Sequence, residues 1–139
     1  MCAAGGRVTR YVIGPDVALR LAQDRSHVHR EHQVLAPALL RSQVLSLLYG
    51  AVARGELTEA EAELRLDVVR GLRIRLLGDR VLQRVAWRTA AQLGWSDTLD
   101  AEYVALTLLQ ADALITLDER LAQAVSGVVT VAPLEDLLA

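Results

Sequence analysis

Several residue types are scarce or missing from this chain of 139 residues, and their absence excludes some classes of protein. Phenylalanine and lysine are absent, aromatic residues make up only 4%, and the single cysteine is Cys2. One cysteine cannot form an internal disulfide, so the composition is not that of a disulfide-rich secreted domain. No apolar run approaches the ~18 uncharged residues of a membrane helix, and Met1 to Arg10 has no signal-peptide core. We therefore expect a cytoplasmic protein that does not associate with membranes.

The residues that are present favour one domain with an aliphatic core. Hydrophobic residues make up 53% of the chain, so the core must be built from Leu, Val, Ile and Ala. All fifteen basic residues are arginine, whose planar fork binds phosphate or carboxylate through two hydrogen bonds. The net charge of -2 gives no overall attraction to nucleic acid, so any such binding must depend on a local patch.

Short apolar runs alternate with amphipathic stretches along the sequence. The predicted strands are Tyr11–Ile13, Leu72–Leu76, Ala113–Thr116 and Val128–Val131. The predicted helices begin near Asp16, at Pro37, at Thr58 with its capping box to Glu61, after the cap Asp79, at Leu99, after the cap Asp118 and at Pro133. Residues 25–32 are predicted to form a loop or short turn.

This alternation predicts an α/β fold with three layers, α/β/α, and a mainly parallel central sheet. We expect a single domain over residues 11–139, preceded by a flexible segment over residues 1–10. In open parallel sheets, ligands bind beyond the carboxyl ends of the strands. The residues that follow each strand are therefore the first candidates for a functional site.

Carboxylates occupy these positions. Asp16 follows the first strand, Asp118 follows the Ala113–Thr116 strand, and Asp100 lies at the start of the Leu99 helix. Asp97 is a secondary candidate that either reaches the same pocket or caps the helix from the loop. Each acid also has an ordinary structural explanation, since acids are favoured near helix N-termini and Asp is a common N-cap.

The segment from Thr98 to Leu106, Thr-Leu-Asp-Ala-Glu-Tyr-Val-Ala-Leu, is followed by Ala-Leu-Ile-Thr-Leu-Asp ending at Asp118. Together they resemble the C-terminal half of PIN-domain ribonucleases, and of VapC toxins from toxin–antitoxin pairs in particular. The resemblance implies a carboxylate-bound Mg²⁺ or Mn²⁺ that supports hydrolysis of RNA phosphodiester bonds, with Asp100 and Asp118 as metal ligands. It further implies a homodimer, an RNA substrate and a small VapB-like antitoxin partner.

The N-terminal half departs from that family pattern at two of its four acids. Gly14 stands where the family has an Asp after the first strand, and Gln43 stands where it has a Glu. An amide oxygen coordinates without formal charge, so Gln43 is at most a weak ligand and the ion is bound weakly or not at all. Asp16 can compensate for Gly14 if the strand persists, because residues two apart point the same way. The alternative is a catalytically impaired or inactive PIN-like protein that acts by binding a partner or RNA.

Three further groups of residues are candidates for a function. His27, His29 and His32 match no zinc spacing, which favours a solvated loop. Trp87 and Trp95 can stack on bases, but their spacing favours packing. Arg73 and Arg75, with Arg70 and Arg80 nearby, form either a phosphate-contacting patch or a solvated strand face.

Overall fold

The computed structural model describes residues 8–138, so Cys2 and most of the segment predicted to be flexible lie outside the described residues. Four strands and seven helices follow one another in this part of the chain. The strands are β1 (Thr9–Ile13), β2 (His32–Pro37), β3 (Ile74–Leu77) and β4 (Ala113–Ile115). The helices are α1 (Pro15–Asp24), α2 (Leu40–Ala53), α3 (Glu59–Gly71), α4 (Arg80–Leu93), α5 (Leu99–Gln110), α6 (Glu119–Val125) and α7 (Glu135–Leu138).

The strands form one sheet in the order β3-β2-β1-β4, and all neighbours are parallel. Tyr11 of β1 pairs with Val34 of β2 and with Ala113 of β4. Helices α1, α2 and α3 contact one another, whereas α4 packs on α5, which lies against β1 and β2. The predicted α/β architecture with a parallel central sheet is confirmed.

Strand β2 was not predicted, and the helix expected to begin at Pro37 begins at Leu40 instead. Val34, Leu35 and Ala36 are buried on both faces of the sheet, so their run carries no period-two signal. Pro37 is the last residue of β2, where the lack of a backbone N–H costs few hydrogen bonds between strands. The next amide, Ala38 N, donates to Leu77 O at 3.0 Å.

The strand predicted at Val128–Val131 is also wrong in the described part of the chain. Only one bridge forms there, between Leu114 and Val131. The amides of Val128 and Val129 both donate to Val125 O, at 2.8 and 3.0 Å, which continues the turn after α6. These two residues therefore cannot pair with the sheet as an extended strand.

The predicted helix starts at three caps are confirmed. Thr58 and Glu61 form the full capping box, with Glu61 N donating to Thr58 Oγ1 at 3.1 Å. Asp79 accepts from Leu82 N at 2.9 Å, and Asp118 accepts from Arg120 N at 2.9 Å. These bonds satisfy amides that a helix N-terminus leaves without partners.

The core is aliphatic, as its composition predicts, and centres on the sheet. The fully buried residues include Val12 and Ile13 of β1, Leu114 and Ile115 of β4, and Val104 of α5. No helix among the described residues is long and apolar enough to cross a membrane.

Candidate functional site

The site lies at the carboxyl ends of β1 and β4, which are neighbours in the sheet. The strand that follows β1 in sequence, β2, pairs with β1 on the side away from β4. The segment that follows β4 pairs on the side of β4 away from β1, where Val131 forms a bridge with Leu114. Connections that leave two adjacent parallel strands in opposite directions open a crevice between them. Asp16 follows β1 and Asp118 follows β4, so the topology brings these two acids to the same crevice.

Asp16 fills the space beside Gly14. A Cβ built on Gly14 would lie 2.7 Å from Asp16 Oδ1, closer than real Cβ contacts allow. Asp16 Oδ1 accepts from Val17 N at 2.8 Å, and Oδ2 accepts from Leu117 N at 2.9 Å and Thr116 Oγ1 at 3.3 Å. The carboxylate of residue 16 therefore lies where a side chain at position 14 would begin.

Asp118 is held by the first turn of α6. Its Oδ1 accepts from Arg120 N at 2.9 Å and Leu121 N at 3.2 Å, while its own amide donates to Thr116 Oγ1 at 3.1 Å. The cap predicted for Asp118 is confirmed, but it engages one carboxylate oxygen. Oδ2 accepts no hydrogen bond from the described residues and is available to a ligand.

Asp100 lies in the first turn of α5 and is the centre of an acidic cluster, defined here as Asp16, Asp97, Asp100 and Asp118. Burial raises the pKa of Asp100, and the charges of Asp118, Asp97 and Asp16 raise it further. Within residues 8–138 no hydrogen bond or ion pair engages its carboxylate. Asp97 also accepts a hydrogen bond from Leu99 N at 3.0 Å, so it contacts the start of α5 from the loop.

Gln43 of α2 reaches the neighbourhood of the acidic cluster through Tyr103. The Tyr103 hydroxyl donates to Gln43 Oε1 over 2.5 Å. Burial and the charges of Glu102, Asp100 and Asp16 raise the pKa of Tyr103, so its hydroxyl keeps its proton. The only oxygen with which Gln43 could ligate an ion thus already accepts one hydrogen bond.

The donor chemistry of the acidic cluster fits a hard divalent cation, which prefers carboxylate oxygens. Asp100 and Oδ2 of Asp118 would hold it, and Asp16 would assist through the remaining lone pairs of its carboxylate. However, among residues 8–138 no three His, Cys, Asp or Glu side chains stand together in an arrangement that could hold a metal ion. In this structure the carboxylates of the acidic cluster therefore do not converge on one position for an ion.

Two residues near this site were not assigned a role from sequence. Thr116 links Asp16 and Asp118 by hydrogen bonds to both, and Tyr103 binds Gln43. Tyr103 follows Asp100 by three residues, a spacing that places two side chains on the same side of a helix. That spacing was the available signal for Tyr103, whereas the contacts of Thr116 depend on strand pairing.

The other candidates have different outcomes. Trp87 is 73% exposed, so its predicted packing role is wrong, whereas Trp95 packs partly against the core. Residues two apart on a helix face opposite sides, so Val85 could not bury Trp87. Arg70 pairs with Asp67 at 2.6 Å. His29 and His32 are half-buried, with ring centroids 5.5 Å apart, and are not fully solvated.

Comparison with known proteins identifies the fold. No family model and no curated protein matches the sequence. The structure is similar to PAE2754 from Pyrobaculum aerophilum, with a TM-score of 0.71, 20% identity and coverage of 95% of this chain and 96% of that chain. It is also similar to VapBC-1 from nontypeable Haemophilus influenzae, with a TM-score of 0.60, 13% identity and coverage of 91% and 99%. These similarities show that the chain shares the fold of the two structures, an α/β fold with a parallel central sheet as the sequence predicts.

Proposed function

We propose that this chain is a divalent-metal-dependent endoribonuclease of the VapC type, which hydrolyses RNA phosphodiester bonds at the acidic cluster. One observation supports this proposal above all. The charges of Asp16, Asp97 and Asp118 all raise the pKa of Asp100, so the four carboxylates lie near one another at the carboxyl ends of β1 and β4. Four neighbouring carboxylates repel one another unless a cation or protons balance them. Their position is where a parallel sheet binds its ligand.

In this proposal the residues of the chain divide the work. When bound, Mg²⁺ or Mn²⁺ supplies a Lewis acid that activates water and stabilises charge on the phosphate. Asp100 is the principal ligand, because its carboxylate has no competing hydrogen bond within residues 8–138. Asp118 contributes Oδ2, Asp16 takes the place of an acid at position 14, and Asp97 adds negative charge. Gln43 is a weak ligand, since Tyr103 already occupies its oxygen in part.

The test combines ion binding with RNA cleavage. Calorimetric titration with Mg²⁺ and Mn²⁺ is followed by cleavage of a mixed-sequence RNA with the wild type and the Asp100→Asn variant. We expect Asp100→Asn to lower cleavage at least about 30-fold, because loss of a charged ligand costs more than about 2 kcal/mol of transition-state stabilisation.

The matched control is Asp24→Asn at the last residue of α1. Asp24 is exposed and lies about 12 Å along the helix from Asp16, at a rise of ~1.5 Å per residue. It should leave both ion binding and cleavage unchanged. Cleavage that is equal in the Asp100→Asn variant and the wild type would sink the proposal. Absence of ion binding at millimolar concentration would instead favour an inactive, partner-binding protein.

We further propose that the chain binds a small VapB-like antitoxin through an apolar groove. A groove of about 570 Å³ lies between α2, α3 and β3. Its lining is apolar apart from two arginines: Leu40, Arg41, Val44, Leu45, Leu66, Val69, Arg70, Ile74 and Leu76. Leu45 is 56% exposed there. An amphipathic helix with apolar anchors and acidic flanks is the ligand that fits such a groove.

Co-expression with the product of a short neighbouring reading frame tests this partner. We expect a stable complex in light-scattering chromatography, and we expect Leu45→Asp to disrupt it. Leu108→Asp on α5, where Leu108 is 49% exposed, is the matched control. The same measurement without the partner tests whether the chain forms the homodimer that the family resemblance implies. A complex that tolerates Leu45→Asp but not Leu108→Asp would move the partner site to α5.

A further inference from the structure

We propose that the exposed face of α4 is a binding surface for single-stranded RNA. This surface, the α4 stripe, consists of Arg80, Arg84, Trp87 and Arg88. The choice of RNA as the polyanion rests on the proposed function, but binding at the stripe does not require the acidic cluster to be active.

The stripe follows from the helical repeat. Arg80, Arg84 and Arg88 recur every four residues, so they line up along one side of α4 over about 12 Å. Trp87 lies three residues after Arg84 and falls on the same side. The opposite side carries the residues that α4 buries, namely Leu82, Ala86, Thr89 and Ala90. The stripe is therefore fixed outward by the packing of the helix.

The charge of the stripe is not balanced locally. Helix α4 contains three arginines and no acid, and the nearest acid in sequence, Asp79, caps the helix through Leu82 N. Among the described residues, Arg80, Arg84 and Arg88 make no ion pair. From Arg73 to Arg88 the sequence carries five arginines and one acid, although the net charge of the whole chain is -2. Positive charge is concentrated here and attracts a polyanion.

Trp87 favours a nucleic acid over other polyanions. Its side chain is 73% exposed. Such exposure is unusual, because tryptophan has a large apolar surface that is normally buried. A flat indole among guanidinium groups offers a stacking surface to a base while the arginines contact phosphates. A second copy of this chain is a poor occupant, because a symmetric contact would bring six arginines together.

The stripe is also connected to the acidic cluster. Helix α4 ends at Leu93, and the chain passes through Gly94, Trp95 and Ser96 to Asp97. Helix α4 packs on α5, whose first turn contains Asp100. A strand bound on α4 would thus lie on the helix that leads directly to the acids.

The test measures binding of the full chain to a fluorescein-labelled oligouridine by anisotropy, in EDTA so that the strand is not cut. Three phosphate contacts predict a slope of log K against log salt of about -2. Arg84→Gln should weaken binding and reduce the steepness of the slope by about 0.7. Arg30→Gln, which changes an exposed arginine before β2, should alter neither.

Trp87 has its own signature. Trp87→Ala should weaken binding about 5- to 150-fold, because base stacking contributes that much per base, without changing the salt slope. In a Trp95→Phe variant, Trp87 is the sole tryptophan, and its fluorescence should be quenched by oligouridine but not by inorganic polyphosphate. All four stripe positions are exposed, so the variants should melt within a few degrees of the wild type.

Three results would overturn the proposal. Unchanged affinity in both Arg84→Gln and Trp87→Ala excludes the stripe as an RNA surface. Equal quenching by an acidic peptide points to a protein ligand, and dissociation of a dimer by Trp87→Ala points to self-association. Asp100→Asn separates this proposal from the nuclease. If the protein binds RNA through the α4 stripe but does not cleave it, only the proposed nuclease activity is refuted. If it cleaves RNA and the stripe variants bind RNA as the wild type does, only the proposed RNA surface is refuted.

Discussion

At the scale of single residues, the folded state disfavours the ionised form of Asp100. Burial raises its pKa, and so do the charges of Asp118, Asp97 and Asp16, which means that folding works against its ionised form. A group of this kind contributes stability below its unfolded pKa and loses that contribution as pH rises through its folded pKa. At neutral pH the charge on Asp100 therefore opposes folding unless a cation offsets it.

We predict that Asp100→Asn raises the melting temperature of the protein in EDTA at pH 7. The effect should be about 4 °C or less, because this carboxylate is only partly buried, so solvent screens its charge, and about 1 kcal/mol corresponds to that shift. Differential scanning fluorimetry measures it. Added Mg²⁺ should then stabilise the wild type but not the variant. A lower melting temperature for Asp100→Asn in EDTA would contradict the repulsion.

Tyr11 gives a prediction at high pH. Burial raises the pKa of Tyr11, and the charges of Asp136 and Asp112 raise it further. Its neutral form therefore contributes stability that is present below the unfolded pKa near 10 and lost as pH rises through the folded pKa. Tyr11→Phe should reduce the loss of stability between pH 9 and 11, measured by urea unfolding. Tyr49→Phe, on an exposed tyrosine, should leave the pH profile unchanged.

Single residues also show where sequence reasoning stops. The positions of Asp100 at a helix start and of Asp118 after a strand could be predicted, because the motif that contains them has a strong local pattern. Tyr103 lies in the same motif, but its bond to Gln43 joins residues 60 positions apart. The exposure of Trp87 depends on which side of α4 meets α5. Spacing along the sequence does not determine such contacts, because they depend on how the elements pack.

At the scale of elements, helix α3 depends on its N-terminal cap. Thr58 Oγ1 accepts from Glu61 N at 3.1 Å, and the Glu61 side chain accepts from Thr58 N at 3.4 Å. We predict that Thr58→Ala lowers the free energy of unfolding by about 1 kcal/mol, measured by urea denaturation. Ser42→Ala, on the exposed side of α2, is the control and should change it by less than about 0.5 kcal/mol. Equal effects would mean that the cap does not stabilise α3.

Elements were predictable where a local signal defines them. The caps at Thr58, Asp79 and Asp118 correctly located three helices, because capping is a property of a few adjacent residues. Strand β2 was missed because its apolar run is short and buried on both faces. The run Val128–Val131 has strand composition, but the turn after α6 uses two of its amides. β-propensity did not decide between pairing and turning there.

In the molecule as a whole, Asp16 joins parts of the chain that are about a hundred residues apart. Its Oδ2 accepts from Thr116 Oγ1 and Leu117 N, which connects the end of β1 to the end of β4. We predict that Asp16→Ala lowers the free energy of unfolding by about 1–3 kcal/mol, because the Leu117 amide loses its acceptor. Urea denaturation measures this, with Asp24→Ala as the control. Asp16→Asn keeps an oxygen acceptor and should cost less. If all three variants unfold alike, the connection contributes nothing.

The pairing of Gly14 with Asp16 has a consequence for substitutions at position 14. A Cβ at position 14 would lie 2.7 Å from Asp16 Oδ1, so the Asp16 side chain would have to rotate to make room for it. Rotation would take the Asp16 carboxylate away from Leu117 N and Thr116 Oγ1, to which it is hydrogen-bonded. A side chain at position 14 would therefore loosen the connection between the ends of β1 and β4, whatever charge it brought to the acidic cluster.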